Sequence, residues 1–78
     1  MPREETNSAM ANETTQAILD ALAEVETWAL TEEDAQIRAA WAAVAEGRSQ
    51  TVHRARATAC CDAARTVRAV ALRVRAAQ

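Results

Sequence analysis

Apolar residues recur along the chain at helical spacing in three stretches, separated by two polar signals. Ile18, Leu22, Val25 and Ala29 follow at steps of four, three and four, the periodicity of one helical face. Leu19 and Leu30 widen that stripe on one side and Trp28 widens it on the other. So broad an arc on a short helix predicts more than one packing neighbour. Residues 1–12 lack any such period and read as a flexible tail, leaving residues 13–78 as a single helical domain.

Thr31 followed by Glu32, Glu33 and Asp34 has the form of an N-cap and an acidic first turn, because carboxylates favour the positive end of the helix dipole. It predicts a second short helix. The stripe of that helix, Ile37, Ala40, Trp41 and Val44, is rotated by about 100° from the first if both are drawn on one helix at 3.6 residues per turn. A single continuous helix is the alternative, since neither Gly nor Pro intervenes. Gly47 stands where a left-handed C-terminal cap belongs, and Ser49 is placed to cap a third helix from Gln50 to Ala77. Val52, Ala59, Ala63, Val67, Val70 and Val74 fall on one side of it; Arg54, Cys61, Arg65, Arg68, Leu72 and Arg75 fall on the other. Such a helix is about 40 Å long, more than either earlier helix covers.

The expected fold is therefore all-α: three helices, short, short and long. Composition sharpens this in one respect. Alanine dominates, Phe and Tyr are absent, and fourteen large apolar side chains between Ile18 and Val74 supply the candidate core. Each is worth about 2 kcal/mol when fully buried, against an ordering cost of about 1.5 kcal/mol per residue. A chain of 78 residues is marginal on that footing. Homodimerisation into a helical bundle is the expected remedy. Trp28 and Trp41 are read as the bulk of an alanine-lined core, with an interface role as the alternative.

The net charge of −2 conceals a division. Residues 1–46 carry two arginines against ten carboxylates, a balance of −8, whereas residues 47–78 carry seven arginines against Asp62 alone, a balance of +6. All nine basic residues are arginine, which with the alanine content points to a GC-rich bacterial or phage coding sequence. No apolar run reaches the roughly 20 residues needed to cross a bilayer, and no secretory signal is evident, so the expected location is cytoplasmic, away from membranes.

Chemistry finds little to work with. A single histidine, no glycine-rich phosphate loop and no paired nucleophile and base predict a non-enzymatic protein without a cofactor. His53 and Cys60 share a helical face but lie about 10 Å apart along the axis, too far for one ion to bridge, so no metal site is expected. Adjacent Cys60 and Cys61 cannot reach ordinary disulfide geometry with each other. Arg54, Arg65, Arg68 and Arg75, with Leu72 among them, form the most suggestive surface, and Glu32, Glu33 and Asp34 its acidic counterpart. These eight residues are the predicted partner-binding set.

Leu30-Thr31, an alanine-rich helix and then Ala45-Glu46-Gly47-Arg48-Ser49 are similar to the opening of LuxR-type helix-turn-helix domains, and Arg65-Thr66-Val67-Arg68 resembles their recognition helix. The likeness covers about half the chain and implies DNA contact through the third helix. It departs from the family in having no breaker between Ser49 and Arg65, and no family is assigned.

The expected function is protein–protein interaction, as a regulatory or accessory subunit or an inhibitor docking on a larger macromolecule. A nucleic-acid-binding protein is one such partner, because the acidic helices suit a basic surface. The alternative is a dimeric, helix-turn-helix-like nucleic-acid-binding regulator using the arginine-rich helix.

Overall fold

In the computed structural model the chain is a hairpin of two α-helices, with no strand among the described residues. The structure describes the backbone of residues 2–78 and the side chains of residues 12–78, so the tail expected over residues 1–12 lies, but for Asn12, outside the described side chains. Helix α1 spans Pro2–Ala45 (44 residues) and α2 spans Thr51–Ala76 (26 residues). The molecule is a rod measuring 69 × 15 × 11 Å.

The expected three helices are two, because the break at Thr31 does not form. Capping there would leave up to four backbone donors without helical partners, whereas keeping a threonine inside a helix costs at most about 0.7 kcal/mol. The Thr31 hydroxyl instead donates to the Thr27 carbonyl one turn back, at 2.8 Å. Two of the acidic triplet, Glu32 and Asp34, are accommodated mid-helix by partners one turn on. Gln36 Nε2 donates to Glu32 Oε1 at 3.1 Å, and Arg38 pairs with Asp34 at 2.6 Å.

At the turn, sequence and structure agree. Gly47 adopts φ +72°, the left-handed region that glycine enters without strain. Around it the Arg48 N–H donates to the Ala43 carbonyl (2.7 Å) and the Gly47 N–H to the Val44 carbonyl (3.0 Å), the paired bonds of a Schellman cap. The cap expected of Ser49 is displaced: the helix begins one residue later, Gln50 is its N-cap without a side-chain cap bond, and Ser49 Oγ, one residue before it, accepts from the Thr51 N–H at 3.3 Å.

The two helices meet along matched heptad tracks. On α1 the buried or half-buried positions run Leu19, Leu22, Glu26, Ala29, Glu33, Gln36, Ala40, Ala43, alternating three and four residues apart. On α2 they run Gln50, His53, Ala57, Cys60, Ala64, Val67, Ala71, Val74, with the same alternation. This 3.5-residue period is that of an antiparallel coiled coil, and small residues along it let the backbones approach closely. Among the described residues six are buried, Leu19, Ala29, Ala40, Ala43, Ala64 and Ala71, and five of them are alanine.

Three expectations are corrected by this seam. Ten of the fourteen candidate core residues are exposed, and both tryptophans are among them (Trp28 64%, Trp41 72%), so neither fills the core. The buried face of α2 is centred on Ala64 and Ala71, which leaves Val52 and Val70 in solvent. A β-branched residue at the centre would hold the helices apart, and alanine does not. The long helix is the first one, not the last: α2 is engaged as far as Val74, half-buried, so its end does not lie uncovered.

Candidate interaction faces

The seam divides the outer surface of the hairpin into two faces, and the apolar stripe of α1 changes from one to the other near Trp28 and Leu30. Toward the turn, Leu30, Ile37 and Val44 repeat every seven residues beside the seam, with Trp41 next to them. Toward the open end, Ile18 and Val25 lie on the opposite flank, with Trp28 beyond them; Val70 of α2 shares that flank. The rotation that suggested two helices is thus a single helix whose grease moves across its own packing seam.

The turn-proximal face holds a groove of about 410 Å³ lined by Ile37, Ala40, Trp41, Val44, Gln50, Arg54 and Ala57. Heptad phase puts Arg54, Cys61, Arg68 and Arg75 along the same face of α2, with Arg65 and Leu72 one position further round. Five of the eight predicted partner-binding residues therefore share one side of α2, Arg54 beside the apolar row of α1 and the others strung toward the open end, where Arg68 reaches Glu26. The acidic three do not join them as a cluster. Glu32 turns to the other flank, Asp34 is exposed, and Glu33 enters the seam, where its Oε2 is buried with no hydrogen-bond partner.

Among the described residues, polar links tie the helices together at Arg68–Glu26 and at His53–Gln36. Arg68 donates to Glu26 Oε1 through Nη2 at 2.7 Å and through Nε at 3.2 Å. The bond first, and the carboxylate charge second, hold the Arg68 guanidinium above its already high ordinary pKa. At the other link His53 Nδ1 meets Gln36 Oε1 at 2.9 Å, extending the Gln36–Glu32 bond into a short relay. Glu26 is one of the carboxylates of the acidic first half that complement the arginine stripe, and it is the one that pairs with it; Gln36 had no assigned role, and the signal was its place on the heptad track. Arg54, Arg65, Arg73 and Arg75 form no ion pair among the described residues, so most of the positive charge on α2 is unmatched within the chain.

Cys60 lies in the seam and Cys61 on the arginine face, both half-buried thiols. No group of three or more His, Cys, Asp or Glu side chains suited to a metal gathers among the described residues, and no helix there is long and apolar enough to cross a membrane. Helix α2 runs from Thr51 to Ala76 without the turn that orients a recognition helix, so helix-turn-helix geometry is not formed. No family model, curated protein or solved structure matches the chain.

Proposed function

We propose that the chain is a non-enzymatic protein–protein interaction module, a helical hairpin acting as a small regulatory or accessory subunit or as an inhibitor by docking on a protein partner. One observation carries this reading: the side chains with the most contact area, above all Trp28 and Trp41, stand outside while alanine fills the inside. Tryptophan is enriched among the residues that dominate interface energetics, and exposed apolar rows rimmed by charge mark contact surfaces. The arginine row of α2, which starts with Arg54 in the groove, suits an acidic surface. The acidic outer side of α1 suits a basic one, such as that of a nucleic-acid-binding protein.

A second reading follows from the unmatched arginines, which could meet phosphates directly. The two separate in one experiment, capture of partners from the source cell's lysate with and without nuclease, using the native chain, Trp28→Ala, Trp41→Ala and Arg65→Ala/Arg68→Ala. A protein partner survives nuclease and is lost with a tryptophan variant. Loss on nuclease treatment, on raising salt and in the double arginine variant would instead establish nucleic-acid binding. Retention of every partner by both tryptophan variants would overturn the module reading.

A further inference from the structure

The side of the hairpin that carries the groove is apolar on α1 near the turn and cationic along α2. Leu30, Ile37, Trp41 and Val44 form its α1 half, all more than 40% exposed. On α2 Arg54 lines the groove, and Arg65, Arg68 and Arg75 continue along the same side toward the open end, Arg68 level with Glu26. We propose that this face is covered by the same face of a second copy, closing two hairpins into an antiparallel four-helix bundle in which α1 of each chain lies on α2 of the other, both turns at the same end. The proposal rests on the interaction-module reading and names the partner for this face.

Charge selects both the occupant and the arrangement. A two-fold axis across the helices would stack α1 on α1 and α2 on α2, setting carboxylates against carboxylates and arginines against arginines, which is repulsive at close quarters. An axis along the bundle instead lays each acidic helix on a basic one, with every neighbouring pair antiparallel. On α1, Asp20 and Asp34 share the row of Trp41; on α2, Arg54, Arg65, Arg68 and Arg75 run over the same range of distances from the turn. Among the described residues Glu26–Arg68 is the one interhelix ion pair, which leaves the other three arginines available to the partner copy.

Shape agrees with charge. An axis along the bundle keeps each residue at the height of its counterpart, so Trp41 of one copy stands level with the groove of the other, between Ile37, Val44 and Arg54. Insertion is reciprocal, and the indole meets an arginine as well as aliphatic walls, the setting of a cation–π contact. A 26-residue helix is about 39 Å long and two side by side are about 20 Å wide, so the face offers about 800 Å² per copy, the area of a standard stable interface. The open-end face with Ile18, Val25, Trp28 and Val70 remains uncovered for a different partner.

Light scattering behind size exclusion tests this on the full chain. The expected mass at micromolar concentration is twice that of the 8.4 kDa chain. Trp41→Ala should weaken the dimer by roughly thirtyfold or more, as removal of an interface anchor does, with helix content by circular dichroism unchanged; Trp28→Ala should not weaken it. Should Trp41→Ala lose its helix, Ile37→Glu is read in its place. The arrangement is tested by charge exchange: Arg65→Glu/Arg75→Glu and Asp20→Arg/Asp34→Arg each fail to self-associate but pair when mixed. A monomeric native chain, a dimer lost with Trp28→Ala but kept with Trp41→Ala, or charge variants that never pair when mixed would each overturn the proposal. A monomer that still loses a protein partner on Trp41→Ala refutes the second copy while leaving the module reading intact.

Discussion

The seam and the outer faces of this hairpin use opposite chemistry, and the contrast separates what holds the fold from what is offered to a partner. Inside, Ala29 and Ala43 are fully buried and polar Glu26, Glu33 and Gln36 occupy positions where a coiled coil ordinarily places leucine. Outside, two tryptophans, four valines, two isoleucines and two leucines face solvent. Alanine gives close approach and low ordering cost but little buried area, so the hydrophobic return per residue is small. A chain optimised as a solitary hairpin would place these groups the other way round. That distribution is what motivates the proposed interaction role.

Three changes within the hairpin probe this contrast, the largest first. Ala29→Leu forces a branched side chain into a position with no free surface, and overpacking of this kind costs about 1–3 kcal/mol. Chemical denaturation should place it at the upper end, because the facing backbone must retreat; a neutral result would mean that the seam is loosely packed. Glu33→Leu should act in the opposite direction. It removes a buried oxygen without a partner, a defect worth about 1–3 kcal/mol, and supplies apolar area at a heptad position, so the denaturation midpoint should rise. A lower midpoint would show that Glu33 has a favourable role in the seam.

Gly47→Ala sets the lower end of the scale. No atom lies within 4 Å of where the new methyl would stand, so the penalty is that of the left-handed backbone alone, about 1–2 kcal/mol. The melting temperature should fall modestly with helix content retained. An unchanged melting temperature would mean that the turn relaxes to another conformation. Against these, exposed Trp28 and Trp41 should alter stability by no more than about 0.5 kcal/mol when truncated in the absence of a partner. A large loss of stability there would place them in the fold rather than on a docking face.

The amino-acid sequence alone determined the helical class and the turn at Gly47. Helix propensity is a local property, and Gly47 is the one residue that enters a left-handed cap without strain. The exposed rows containing Arg54, Arg65, Arg68, Leu72 and Arg75 were likewise legible from spacing, as was Ser49 beside the start of α2. What escaped was which face turns inward. Judged by size, Ile37, Trp41, Val44, Val52 and Val70 looked like core, while the heptad run through Ala57, Ala64 and Ala71 looked like background. Only the pairing of α1 with α2 decided between them, because burial depends on how near the partner backbone comes, and small side chains win that contest through closeness rather than bulk. The same pairing kept Thr31 inside a continuous helix, where a threonine bonding one turn back costs less than a severed ladder.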